Sequence, residues 1–390
     1  MTPAPADHDH RDAMPPNPAL LPAGLSDLLP PDAAREAALV EAMMAAFARH
    51  GYERVKPPLL EFEEGLLAGS GAAVAEQTFR LMDPVSQRMM GLRADTTPQV
   101  ARIAATRLRG APRPLRLSYA GQVLRVRGTQ IAPARQVPQA GVELIGAASA
   151  AADAEVAAVG VEALAAVGVT GVALDVMLPQ MVPALLDAAG VAGEARGALA
   201  RALDRKDAAA VERLSRPHAE TLGFLPGLLA AAGPAEAALD ALARAPLPPA
   251  ARAVADNAAA VVAALRARVP SLRVTLDPVE FRGLRYHTGV AFSVYGPGRA
   301  GELARGGRYP SGEEAGTGLT LYPDAVLRCA PPLRAAGAEP PRVFVPEGED
   351  GAALRARGFV TLAALSPADD PRALRCTHVA RGGDVVPLED

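Results

Sequence analysis

The sequence contains only two cysteines in 390 residues, Cys329 and Cys376. They are far apart and lack metal-ligand spacing, so neither a disulfide framework nor a metal centre is indicated. Reduced thiols in a cytoplasmic protein are expected. Lysine is nearly missing: Lys56 and Lys206 are the only two, and the other basic residues are arginines. Beside so much alanine, glycine and proline, this arginine usage reads as a compositional bias and carries no functional message by itself. Positive charge is not in surplus, since the net charge is -3 and the pI about 6.1. That balance gives no global attraction to nucleic acid. No apolar run is long and charge-free enough to span a bilayer. The N-terminus lacks a secretory hydrophobic segment, and Met1 to Pro18 reads as a disordered tail.

What the sequence does contain is a polar, glycine-punctuated stretch from Val279 to Tyr309. It reads as two strands, Val279 to Tyr286 and Val290 to Tyr295, each leading into a glycine-marked turn. Arg282 offers a planar fork to a carboxylate. Tyr286, His287, Thr288 and Tyr309 add directional donors and acceptors, while Gly283, Gly289, Gly306 and Gly307 permit close backbone approach. These groups suit a small zwitterion.

Upstream, Asp32 reads as the N-cap of a helix carrying Leu39, Met43, Ala46 and Phe47 at helical spacing, with Gly51 closing it. Tyr52 to Pro58 reads as a short strand. Thr78 to Met82 and Arg88 to Arg93 read as two strands joined by the turn Asp83-Pro84-Val85-Ser86. Thr97 then caps a helix whose first residue is Pro98, running to Gly110. Asp95 lies at the hinge between strand and helix. The next pair of strands alternates: Val123, Arg125 and Arg127 share one face, and Gln139, Gly141 and Glu143 share a face opposite Val142 and Leu144. If both belong to one antiparallel sheet, one face lies on a core and the other lines something polar. Charges on a central strand require partners or water, which a ligand pocket or an open sheet face supplies.

Four blocks of this pattern resemble histidyl-tRNA synthetase. Arg282-Gly283-Leu284 with the later Gly306-Gly307-Arg308-Tyr309 resembles its histidine-recognition signature. Leu115 to Gly146 resembles the second class II synthetase motif, placing Arg125 on the motif arginine and Gln139 and Glu143 on histidine-contacting positions. Leu92 to Thr97 resembles the element before it, placing Asp95 and Thr97 on ammonium-contacting positions. The helix and strand ending at Pro58 resemble the first motif, which builds the dimer interface in that family. The resemblance covers roughly Pro22 to Arg328 and implies an α+β fold: a class II synthetase-like antiparallel sheet flanked by helices. The expected organisation is a tail at 1–18, a synthetase-like core at 19–328 with a mostly helical insertion at about 194–269, and a small α/β appendage at 329–390. In the insertion, Asp204-Arg205-Lys206-Asp207 reads as a solvated helix face.

Departures from the family pattern concentrate on the nucleotide side. Ala325 stands where the third motif supplies an arginine, after Pro323. Arg127 replaces the second motif's glutamate, exchanging an acceptor for a donor, and Arg285 replaces an aspartate. His287 replaces a tyrosine in the histidine signature. Adenylate formation needs cations around the phosphates, so no aminoacylation and no catalytic residue are expected. After Arg328 only 62 residues remain, too few for the family's anticodon-binding domain, and no tRNA contact is expected.

A protein that holds histidine without activating it resembles the synthetase paralogues that serve as regulatory subunits of ATP phosphoribosyltransferase. That resemblance implies self-dimerisation through the core, assembly with a short-form catalytic subunit at the first step of histidine biosynthesis, participation in histidine feedback, and no cofactor or membrane contact. It implies a histidine site with Asp95, Thr97 and Gln139 around the ammonium group. Arg125 and Arg282 lie near the carboxylate, and Glu143, Tyr286, His287 and Tyr309 surround the imidazole. An active histidyl-tRNA synthetase with a short tail and a stand-alone histidine-binding paralogue are the other readings the residues leave open.

Overall fold

The computed structural model describes residues 19–129, 132–280, 286–298, 301–332 and 340–388. Met1 to Pro18, Arg282 and Arg285 lie outside the described residues. The chain divides into two compact units, the first extending to Pro331 and the second beginning at Pro332.

The first unit is built on a nine-stranded sheet. Its spatial order is Glu53–Arg54, Leu115–Leu124, Gln136–Ile145, Glu314–Leu321, Glu302–Ser311, Ala291–Tyr295, Ala173–Met177, Arg273–Asp277, Gly233–Pro234. Neighbours pair antiparallel except Glu53–Arg54 with Leu115–Leu124 and Ala173–Met177 with Arg273–Asp277. The alternation expected between Gln139 and Leu144 is the observed one in register. Val142 and Leu144 face a buried apolar layer, against which helices Asp32–Arg49 and Ala150–Ala166 pack. Helix Asp32–Arg49 buries Leu39, Met43, Ala46 and Phe47 and ends at Gly51, which takes φ +79 to let Tyr52 turn back toward Phe47. Glycine adopts that left-handed conformation at least cost. Asp32 is the first helical residue instead of the cap, and its carboxylate pairs with Arg35 at 2.8 Å.

Several boundaries differ from the sequence expectation for identifiable reasons. The helix after Asp95 begins at Thr97 and ends at Ala105, because the Thr97 hydroxyl is committed elsewhere and the Thr106 hydroxyl bonds the Arg102 carbonyl at 2.6 Å. Val279 lies in a turn, and residues 281–285 of the strand expected from Val279 to Tyr286 lie outside the described residues. The preceding strand, Arg273–Asp277, stops in a turn where the Asp277 carboxylate accepts the Val279 amide at 3.1 Å and Pro278 has no amide to give. Arg125 and Arg127 lie beyond the end of strand Leu115–Leu124.

A three-stranded sheet in the order Leu60–Phe62, Met89–Leu92, Arg80–Met82 completes the site side of the first unit. Between Gly193 and Arg268 the described chain is almost entirely helical, contributing to the large sheet only the edge strand Gly233–Pro234. The second unit has strands Val360–Ala363, Arg342–Val345, His378–Arg381 and Asp384–Pro387 in that spatial order, around Val343, Val345, Leu354 and Ala380.

Behind the sheet, Arg308 makes two bonds to the fully buried Asp153, at 3.0 and 2.6 Å, and Thr317 donates to the same carboxylate at 2.6 Å. Removing one partner of a buried pair leaves an uncompensated charge. Asp153→Ala is therefore expected to lower the urea-unfolding free energy by roughly 3–5 kcal/mol. A loss below about 1 kcal/mol, the range of exposed pairs, would show that the pair is not a structural element.

Candidate functional site

The polar face of the sheet is carved by glycines. Gly307 and Gly318 are direct neighbours in the ladder, and Gly318 in turn faces Glu143. A Cβ on Gly318 would collide with the Glu143 carboxylate, and one on Gly307 would collide with the His287 ring. Gly141 likewise makes room for the Tyr119 ring. Large side chains from one strand thus lie flat over the bare backbone of the next, leaving a cavity of about 260 Å³ above them. Typical small-molecule pockets span roughly 300–1,000 Å³, so this cavity suits a small ligand.

Asp95, Thr97, Arg125, Gln139, Tyr286, His287 and Tyr309 all line this cavity. Asp95 and Gln139 form one network: Gln139 donates to Asp95 Oδ1 at 3.0 Å, and its amide oxygen accepts from the Thr96 hydroxyl at 2.8 Å and the Thr96 amide at 3.1 Å. This fixes the Gln139 amide and leaves Asp95 at the wall with oxygen lone pairs for a cationic group. Among the described residues, the guanidinium groups of Arg125 and Arg127 have no hydrogen-bond or ion-pair partner. The cavity therefore offers a carboxylate and two uncommitted cations, the complement of a zwitterion.

Glu143 does not line the cavity. It is fully buried beneath it, accepting from the Thr97 and Tyr309 hydroxyls at 2.7 Å each. Burial raises its pKa to about 8, opposed by those two hydrogen bonds and assisted by Asp95. The group is mostly a neutral acid at pH 7 and reaches a ligand only through, or in place of, the two hydroxyls. Tyr119 bonds Thr320 at 2.7 Å and lies 3.4 Å from the Thr97 hydroxyl, extending the network. Burial pushes the phenols of Tyr119, Tyr286 and Tyr309 up, and that of Tyr322 up to about 12, so all remain neutral donors.

Of the replaced positions, His287 is buried, with its ring centroid 4.0 Å from that of Tyr286 and its carbonyl held by the Gln180 side chain. Sequence reasoning missed Arg305, Tyr322, Thr320 and Tyr119. Arg305 was discoverable, since it shares a strand face with Gly307 and Tyr309 by simple alternation. It is already engaged by Glu302 at 2.8 and 3.0 Å. On the nucleotide side, Pro323 is the first residue of helix Pro323–Cys329, Ala325 is buried, and Arg328 points to Asp324 at 3.2 Å. Arg328 is not part of the cavity wall.

The histidyl-tRNA synthetase family model matches residues 24–326. An ATP phosphoribosyltransferase regulatory subunit from Paramagnetospirillum magneticum is 55% identical over 381 residues, covering 96% of this chain and 99% of that protein. The chain belongs to the histidyl-tRNA synthetase-like family of ATP phosphoribosyltransferase regulatory subunits. Members of this family are non-catalytic, in keeping with the loss of the third-motif arginine at Ala325. A solved ATP phosphoribosyltransferase regulatory subunit/histidyl-tRNA synthetase from Bacillus halodurans has 25% identity and a TM-score of 0.73, covering 91% of this chain and 95% of that one. The ATP phosphoribosyl transferase (HisG:HisZ) complex from Thermotoga maritima contributes a chain with 19% identity and a TM-score of 0.58, covering 74% of this chain and 97% of its own, which shows the shared fold. Among the described residues, no helix is long and apolar enough to cross a membrane.

The raised pKa of Glu143 gives stability a definite pH dependence. The folded protein holds this proton up to about pH 8, whereas the unfolded chain releases it near 4.5. The contribution is complete below about pH 4.5 and is lost as pH rises toward 8, an effect on the order of 5 kcal/mol. Thermal unfolding from pH 5 to 9 is expected to show wild type losing stability relative to Glu143→Gln across that window. Parallel profiles for the two proteins would mean that Glu143 is ionised in the folded state.

Proposed function

We propose that the cavity binds L-histidine and that the chain acts, with a short-form ATP phosphoribosyltransferase catalytic subunit, as the histidine-responsive regulatory subunit at the first step of histidine biosynthesis. The observation that carries this reading is the buried Glu143 joined to the cavity through Thr97 and Tyr309. A neutral acid coupled to two hydroxyls can share one proton with an imidazole. Asp95, with Gln139 and Thr97, receives the ammonium group, and Arg125 receives the carboxylate. Arg282, the other proposed carboxylate partner, lies outside the described residues. Tyr286, His287 and Tyr309 enclose the ring.

The assembly named for the Thermotoga maritima relative supports a catalytic subunit as partner. Self-dimerisation through the core, a cytoplasmic location, and the division into synthetase-like core, helical insertion and appendage belong to the same reading. Histidine regulates only by binding one arrangement of the assembly better than another. Mixing the full chain with a cognate short-form catalytic subunit and following phosphoribosyl-ATP formation tests this directly. Activity that requires this chain and falls on adding histidine is expected. Activation without histidine sensitivity would separate the cavity from feedback, and no activation would reject the partnership.

Histidine affinity carries its own signature. Between about pH 6.5, where a free imidazole loses its proton, and about pH 8, where Glu143 loses its own, one proton is already available for the pair. Below that interval binding must expel a proton, and above it binding must take one up. Calorimetric affinity is expected to be highest inside the interval and to fall on both sides, with Glu143→Gln flattening the profile. Gln139→Ala is expected to weaken histidine binding roughly tenfold or more, since Asp95 loses its orienting donor. Unchanged affinity in a folded Gln139→Ala variant would overturn the site assignment.

A further inference from the structure

Besides the short ladder between Gly233–Pro234 and strand Arg273–Asp277, the helical insertion meets the end of that strand, which leads into the histidine-signature segment, through an ion pair. Lys206 Nζ lies 2.6 Å from Asp277 Oδ2. Asp277 is 7% exposed and is the last residue of strand Arg273–Asp277. Its other oxygen accepts the Val279 amide at 3.1 Å and so closes the turn through which the chain leaves the sheet. At the far end of the segment, the Gln180 side chain donates to the His287 carbonyl. The segment is thus gripped at entry and exit, and the entry grip comes from the insertion. Asp204 to Asp207 are all exposed, as expected of a solvated face, and Lys206 in addition reaches Asp277.

The conformation of Lys206 is a second, independent observation. Lys206 follows helix Gly193–Asp204 with φ +57. Its amide bonds the Leu203 carbonyl at 3.1 Å and the Asp207 amide bonds the Ala202 carbonyl at 2.9 Å. This is the helix-ending arrangement in which glycine is the usual residue, because a Cβ is disfavoured there. A side chain at that position works against the backbone. Lysine is also one of only two in the sequence. Both facts fit a residue kept for what its ammonium group touches.

We propose that Lys206 is a positioning residue for the amino-acid pocket: by holding Asp277, it sets the turn from Asp277 to Val279 at the end of strand Arg273–Asp277, and so links the helical insertion to ligand binding. The proposal rests on the reading of the cavity as a histidine site. Asp277 is the relay, since one of its oxygens faces Lys206 and the other the Val279 amide. Loss of the ammonium frees the carboxylate to rotate and loosens the turn.

The test uses the full chain with Lys206→Ala, Lys206→Arg, Lys206→Gly and Asp277→Asn. Deuterium uptake in the peptide covering residues 277–290 is read without ligand, and histidine affinity is read by calorimetry. Lys206→Ala and Asp277→Asn are expected to speed uptake and weaken histidine binding, each roughly fivefold, with Lys206→Arg close to wild type. Lys206→Gly relieves the left-handed backbone, so its melting temperature is expected to hold or rise while uptake and affinity change as in Lys206→Ala. Unchanged uptake in Lys206→Ala and Lys206→Gly would overturn the proposal, as would faster uptake with unchanged affinity. If wild type binds no histidine, the cavity reading fails by itself, and the uptake measurement still decides whether Lys206 holds the segment.

Discussion

A carboxyl group fully buried at the bottom of the cavity has to be either neutral or surrounded by donors. Glu143 meets this requirement with the Thr97 and Tyr309 hydroxyls, and meeting it constrains much of the first unit. Thr97 must open its helix with the hydroxyl turned to the sheet, which removes it from capping. Tyr309 must reach across a neighbouring strand, which Gly316 and Gly318 allow by presenting bare backbone. The ladder register then fixes Gly307 beside Gly318, and the space above Gly307 is taken by His287. A one-residue slip of any of these strands would turn Glu143 toward the apolar layer and its glycines away from it.

The alternation that places Gln139, Gly141 and Glu143 on one face is legible because side-chain direction in a strand follows sequence parity. Depth is not legible in that way. Periodicity says which face Glu143 occupies, but whether it lines the cavity or lies under it depends on Thr97 and Tyr309, which arrive from elements 46 and 166 residues away. The same limit hid Tyr119 and Thr320, whose bond spans 201 residues. Most of the strand expected from Val279 to Tyr286 lies outside the described residues, and just before it Asp277 and Pro278 form a turn that combines a side-chain acceptor with a missing amide. In the insertion, charge pattern alone suggested a solvated face, and only the tertiary contact with Asp277 distinguished Lys206 from its neighbours.

The two halves of the cavity have been treated differently by the sequence. The amino-acid half keeps a connected set of donors and acceptors. Helix Pro323–Cys329, which lies outside the cavity wall at the place of the family's third motif, has Ala325 packed into the interior, Pro323 opening the helix in a place suited to proline, and Arg328 paired with Asp324. The one cation on that helix, Arg328, is paired with Asp324 and lies outside the cavity wall. Arg127, where the family carries a glutamate, adds a cation instead of the acceptor that would have held the nucleotide. Under the proposed function, the site is organised for recognition without activation.

Recognition without chemistry can act on a partner only through binding energy, and only through parts of the site that differ between two arrangements. The sheet floor is a poor candidate for such a part. Its strands are laddered on both sides, its side chains interlock over glycines, and moving one would unpair the buried Glu143. The stretch at Tyr286 and His287 is different, because it lies outside the strands of the sheet and is held by discrete contacts, the Gln180 bond among them. A ligand touching His287 and Tyr286 pulls on this segment against those contacts, whereas a ligand touching only Gln139 and Asp95 meets a rigid wall. On the proposed reading, the binding energy that distinguishes two arrangements is passed on most readily through Tyr286 and His287 in the cavity wall.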